Sequence, residues 1–312
     1  LYRRLHGSNT MKKIVWIALI GYVAVCMVNR VSHGQQRKFP SSRPNSNQRR
    51  SAQKNPRRPD IRRSTQPTAA ERTLDRFLNN WERHSSRIRS IKGNFVRRRY
   101  DAVFGEVNDQ GRIIPSVAPG KLTYNAPDRG RFEVHGKDPE HWLCTGDEVY
   151  QFDREAKRVY ITTIPPDLRG QAISKGPLPF IFGMRAREAK QRYKLRLLRI
   201  RSLRDQDLCL EVLPRFHNDL SNFSRVLVIV DTSTYLPRAV QLEDPTSEDR
   251  NRSTRRRKPL SRFVYTFYGK NNQTTLRINS PSNPLDFIPQ TLGYKVIHND
   301  QLSENQPKSQ RR

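Results

Sequence analysis

His135, His141 and Cys144 lie close together in the chain, and imidazole and thiolate are the side chains that gather a zinc ion. Their spacing argues against a site, because neither a C-x-x-C nor an H-x-x-x-H pair is present. The chain also has no G-x-S-x-G elbow, Walker loop, dinucleotide fingerprint or H-E-x-x-H helix. No catalytic residue, metal or cofactor is therefore assigned, and the chain reads as non-enzymatic. Of the three cysteines, Cys26 falls in an apolar run after Val25, where a lipidation box needs a small residue, so lipidation is not expected. Cys144 and Cys209 both fall in expected strands. An oxidising compartment permits a bond between them, and only their distance is open.

The elements that would position any such residues follow from periodicity. Thr68-Ala-Ala-Glu71 is a capping box, and Leu74, Phe77, Leu78 and Trp81 then recur at spacings of three and four, which predicts a helix over roughly 69–85. After Gly93 the period changes to two. Phe132/Val134, Tyr150/Phe152, Val159/Ile161, Leu195/Leu197, Leu208/Leu210/Val212 and Phe263/Tyr265/Phe267 alternate with other residues, and Asp-Arg-Gly, Thr-Gly-Asp and Asp-Arg-Glu clusters separate them. These are antiparallel strands with one wet face, so the fold class is α+β. Val226–Val230 is continuously apolar, which predicts a strand covered on both sides. The stretch from Ile164 to Arg192 breaks the series with Pro165-Pro166, Gly176-Pro-Leu-Pro179 and Phe180-Ile-Phe182, then a short helix-favouring run, Arg185–Arg192. It reads as loop or short helices laid across a sheet face, either a core plug or a lid over an apolar cavity.

Outside this part the chain has a different character. Met11-Lys-Lys13, an uncharged run from Ile14 to Val28 and the small residues Ser32-His-Gly34 have the layout of a secretory signal, with Met11 the expected first residue, residues 1–10 an over-extended start and cleavage expected after Gly34. The apolar run is shorter than a membrane span needs, although an uncleaved anchor in the inner membrane stays open. Residues 35–68 are mostly Arg, Pro, Ser, Gln and Asn and cannot bury enough apolar surface to offset their ordering entropy, so they read as a basic disordered linker. Fifteen Lys/Arg stand against the single acid Asp60 in residues 1–68, part of a formal net charge of +30. Export removes the protein from nucleic acid, which leaves anionic lipid headgroups or acidic polysaccharides as polyanions for the linker. The expected location is the periplasm or cell envelope. The expected domains are 1–34, 35–68, 69–298 and a polar tail, 299–312.

The helix, the strand start Ile91-Lys-Gly93-Asn-Phe95, the hairpin Trp142–Asp153, the helical interruption and Val228–Pro237 resemble the LolA-like lipoprotein-carrier fold. Gly120–Arg131, Trp142–Gly146 and Gly176–Gly183 resemble an uncharacterised planctomycete domain family of that class. The resemblance covers roughly 69–298. It implies a strongly curved antiparallel sheet forming an incomplete β-barrel, with an N-terminal helix and a helical lid segment, around an apolar cavity that receives acyl chains. On that reading the lining candidates are Phe95, Tyr124, Phe132, Trp142, Tyr150 and Phe152 from strand faces and Phe180 and Phe182 from the interruption, with Phe263, Tyr265 and Phe267 weaker. The function implied is a periplasmic binding protein that carries or senses lipid or a lipidated partner. The alternative is a structural envelope protein whose basic linker grips polyanions. The long basic linker, the basic domain and the charged insertion Asp244–Lys258 depart from the family pattern.

Overall fold

In the computed structural model, the described residues are 66–136, 138–170, 185–220, 223–244, 261–269 and 271–299. The signal segment, nearly all of the linker, residues 171–184 of the interruption with Phe180 and Phe182, most of the charged insertion and all of the polar tail but Asn299 lie outside them.

Helix α1, Ala69–Ser85, starts where its capping box does. Thr68 N donates to Glu71 Oε2 at 2.6 Å and Thr68 Oγ1 accepts from Glu71 N at 3.2 Å, which satisfies two of the amides that a helix start leaves open. Its stripe of Phe77, Leu78 and Trp81 is buried. Among the described residues thirteen strands follow: β1 Ser90–Asp101, β2 Ser116–Asn125, β3 Arg129–Val134, β4 Glu140–Cys144, β5 Glu148–Asp153, β6 Arg158–Thr163, β7 Tyr193–Leu198, β8 Asp207–Pro214, β9 Arg225–Asp231, β10 Pro237–Glu243, β11 Ser261–Thr266, β12 Leu276–Ile278 and β13 Lys295–His298. Helix α2, Ala186–Arg192, occupies the helix-favouring run that ends the interruption and leads directly into β7. A single helical turn, α3, His217–Leu220, separates β8 from β9.

The strands make one curved sheet in the order β13-β6-β5-β4-β3-β2-β1-β11-β10-β9-β8-β7, with β12 also on β1. All pairings are antiparallel except β13 on β6. The terminal strands β7 and β13 do not pair with each other, so the barrel is incomplete, as the resemblance implies. Two meanders, β1–β6 and β7–β11, meet at the β1–β11 seam.

Because side chains directly opposite in a ladder share a face, the register sorts each residue. The inner, concave face carries one continuous core from Trp142 and Phe132 through Phe95 and Tyr265 to Val228 and Leu210, and α1 packs on it. A smaller core of Leu143, Tyr150, Phe152, Val159 and Ile161 lies on the opposite face, covered by Phe287 and Tyr294 of the C-terminal stretch.

Val226–Val230 departs from the expectation of cover on both sides. In β9, Val226, Val228 and Val230 are buried on the concave face, whereas Leu227 and Ile229 are half-buried. On their convex side Arg196 and Arg225 each reach Glu211 at 2.7 Å, an ionic ladder that lies over the sheet where a second apolar layer was expected.

Candidate functional site

The site is built at the β1–β11 seam on the concave face. Phe95 stacks on Phe132 with ring centroids 4.8 Å apart, and Tyr265 meets both edge-on, at 5.7 and 6.0 Å. Phe267 lies 6.0 Å from Phe95 and is fully buried. Offset and edge-to-face contacts of this kind add to the burial of the rings themselves. The nest has a structural precondition in Gly120, directly opposite Phe95 in the β1–β2 ladder. A Cβ there would sit 2.2 Å from the Phe95 ring, so only glycine leaves room for it.

Following the same face one step along β1 leads from Phe95 to Arg97. Its side chain is 2% exposed, among the apolar residues of the core. Arg97 Nη1 donates to Glu140 Oε1 of β4 in a very short contact, and Nη2 donates to the Asp138 carbonyl at 3.1 Å. Arg97 Nε and Glu140 Oε2 are buried and have no hydrogen-bond partner among the described residues. Desolvation pushes the Glu140 carboxyl up, against the pull of Arg97. The same burial drives the Tyr265 phenol far up.

The charged groups continue toward the end of the sheet. Arg99 Nη2 donates to Asp101 Oδ2 at 2.9 Å and Arg99 Nη1 lies 3.7 Å from Asp138 Oδ2. Asp244, at the end of β10, is pushed up to about 6 by burial, which Arg99 and a hydrogen bond from Ser261 oppose. The concave face thus grades from an aromatic nest into an ion-paired end.

The sequence-derived candidates divide across this geometry. Phe95, Phe132 and Trp142 are buried on the concave face and belong to one core, and Tyr124 packs against it half-buried, its hydroxyl donating to the Pro127 carbonyl at 3.2 Å. Tyr150 and Phe152 occupy the other face of the sheet: the β4–β5 register pairs Phe152 with His141 and Tyr150 with Leu143, opposite in parity to Trp142. Phe180 and Phe182 lie outside the described residues. Phe263, Tyr265 and Phe267 are on the concave face, and Tyr265 and Phe267 join the nest. Arg97 and Glu140 were missed, because Arg97-Arg98-Arg99 reads as a solvated basic run. The signal that finds Arg97 is parity, two residues beyond Phe95 on an alternating strand.

The histidine and cysteine candidates do not converge. His141 and Cys144 point to opposite faces of β4, and among the described residues no group of three His, Cys, Asp or Glu side chains gathers as a metal site. His141 stacks on Phe152 at 4.3 Å, and burial pushes it down to about 4 against the pull of Glu133. Cys144 and Cys209 are free and buried, in β4 on the concave face and in β8 on the convex face.

Solved structures with a similar layout include an uncharacterised conserved protein from Thermus thermophilus, at 8% identity and TM-score 0.39, spanning 72% of this chain and 99% of that one. A LolA-superfamily protein from Nitrosomonas europaea matches at 10% identity and TM-score 0.32 over 69% of this chain and 97% of its own. The lipoprotein LppX from Mycobacterium tuberculosis matches at 9% identity and TM-score 0.35 over 68% and 98%. No family model matches the chain, and no curated protein does. Likeness at these scores carries no ligand or activity to this chain. Among the described residues no helix is long and apolar enough to cross a membrane.

Proposed function

We propose that this chain is a non-enzymatic binding protein of the periplasm or cell envelope, which takes up acyl chains of a lipid or a lipidated partner on its concave face. The observation that supports the reading is the aromatic nest of Phe95, Phe132, Tyr265 and Phe267 beside the buried Arg97–Glu140 pair, on a sheet whose edges are not joined. Each methylene moved from water onto such a surface contributes about 0.8 kcal/mol, so a chain of roughly a dozen offers on the order of 10 kcal/mol before the expense of ordering it.

Uptake on this face requires the helical layer to part from the sheet. Helix α1 is joined to α2 by Ala186 N, which donates to Glu82 Oε2 at 2.9 Å, and by the Lys190–Asp75 pair. Exposed pairs such as Lys190–Asp75 are worth about 0–1 kcal/mol each, so the barrier to opening comes from the burial of Phe77, Leu78 and Trp81 against the sheet core, which a bound acyl chain would have to replace.

The test is native mass spectrometry of the chain isolated from an envelope fraction without detergent, followed by titration with a fluorescent fatty acid. Added mass that denaturation releases as lipid, with weaker uptake by Phe132→Leu, is the expected result. A bare mass with no uptake sinks the carrier reading and favours the packed domain held at the envelope by its basic linker. Deleting residues 35–68 should then abolish envelope association.

A further inference from the structure

The ion-paired end of the concave face limits which ligand can lie there. Among the described residues, four carboxyl groups, Asp101, Asp138, Glu140 and Asp244, surround two guanidinium groups, Arg97 and Arg99. Burial favours the neutral forms of Glu140 and Asp244, yet protonating both would bring this end only to neutrality. The chain as a whole is strongly basic, but among the described residues the end of the concave face is not. A carboxylate or phosphate headgroup placed beside Glu140 would add an unpaired anion to a buried site, which is the costliest arrangement of charge.

The pair itself retains one donor and one acceptor. Arg97 is almost wholly buried, and its Nε has no partner among the described residues; Glu140 Oε2 is buried and likewise unmatched. Buried polar atoms are ordinarily satisfied, and a group bringing both an acceptor and a donor answers both deficits without bringing charge. Arg97 faces the aromatic nest through its ladder partner Tyr265, so a group held there is continuous with an acyl chain lying over Phe95 and Phe132.

We propose that the Arg97–Glu140 pair is a subsite for the neutral polar head of an acyl ligand, an amide or hydroxyl group, and that it discriminates against anionic heads. This rests on the reading of the concave face as an acyl-binding surface. The amide or hydroxyl oxygen would accept from Arg97 Nε, and its N–H or O–H would donate to Glu140 Oε2.

The experiment is competition for a bound fluorescent acyl probe at constant chain length and pH 7.5, using an N-acylethanolamine, the free fatty acid, the lysophosphatidic acid and the alkane. The expected order places the N-acylethanolamine about tenfold or more ahead of both anions, with the alkane between, since two matched hydrogen bonds and one excluded charge each move affinity by that scale. Glu140→Gln, which keeps an acceptor while removing the negative charge, should narrow the gap to the fatty acid; Phe132→Leu should weaken every acyl compound alike and leave the order intact. The wild-type ranking needs no variant, so a misfolded Glu140→Gln chain leaves the test standing. If all four compounds compete equally, or an anion ranks first, the head-group subsite is wrong while acyl binding stands. If none competes and no probe binds, the acyl-binding reading fails and takes the subsite with it.

Discussion

Two ionisable residues outside the aromatic nest give the fold opposing responses to acid. Asp244, whose carboxyl is pushed from 3.8 to about 6, takes its proton in the folded chain before the unfolded chain does. Folding stability therefore rises as pH falls from about 7 toward 4, by about 1–2 kcal/mol once partial exposure is allowed for. His141, pushed from 6.5 to about 4, does the reverse: the unfolded imidazole protonates first, and stability is lost as pH falls from 6.5 to 4. Asp244→Asn should therefore lose thermal stability on acidification more steeply than the parent, and His141→Phe less steeply; parallel melting curves for all three from pH 7 to 4 would refute both assignments. The thiols supply a second prediction. Burial pushes Cys144 up to about 12 and Cys209 up to about 11, so both should resist alkylation at pH 8 in the folded chain and react together in denaturant. A mass two hydrogens short under non-reducing conditions would show instead that they are bonded.

At the scale of elements, the β1–β2 ladder depends on a single missing side chain. Gly120→Ala forces its methyl into the Phe95 ring and should destabilise the domain by about 1–3 kcal/mol, an overpacking effect readable as a lowered denaturation midpoint at constant slope. Thr68→Ala removes one half of the capping box and should cost about 1 kcal/mol. A change in Gly120→Ala no larger than at an exposed strand position would mean that Phe95 moves aside freely. These elements also show what was legible beforehand. The Thr68–Glu71 box and the stripe from Leu74 to Trp81 identify α1 and its start, since both signals are local. Alternation identifies most strands. It does not identify which faces coincide, because that depends on register: Trp142 and Phe152 look equivalent in sequence yet lie on opposite sides of the sheet. Arg97 was illegible for a related reason. Charge argues for water, and only a carboxylate supplied by a strand more than forty residues away makes its burial tolerable.

At the scale of the molecule, a sheet whose end strands β7 and β13 each have one strand neighbour among the described residues should not protect its amides evenly. Hydrogen exchange is expected to be fastest in β7 and β13 and slowest in β1, β2 and β11, which have strands on both sides and most of the buried nest. Uniform protection from β13 to β7 would point to a closed barrel. The basic linker enters at this scale too: if it holds the envelope through polyanions, association should weaken as salt rises, whereas acyl binding should not.

The β1–β11 seam has a kinetic meaning as well. Every other antiparallel neighbour in the main strand order joins consecutive strands, so each meander can form by closing short loops, but β1 must find β11 with more than 150 residues of chain between them. Phe95 and Arg97 arrive on one side of that junction, Tyr265 and Phe267 on the other. A half-folded chain, with both meanders made but unjoined, would hold Phe95, Phe132, Arg97 and Glu140 on one surface without Tyr265 and Phe267 to complete it. The most entropically demanding closure in the molecule and the completion of its site are one event, so gain of ligand affinity during refolding should coincide with burial of Tyr265 and not precede it.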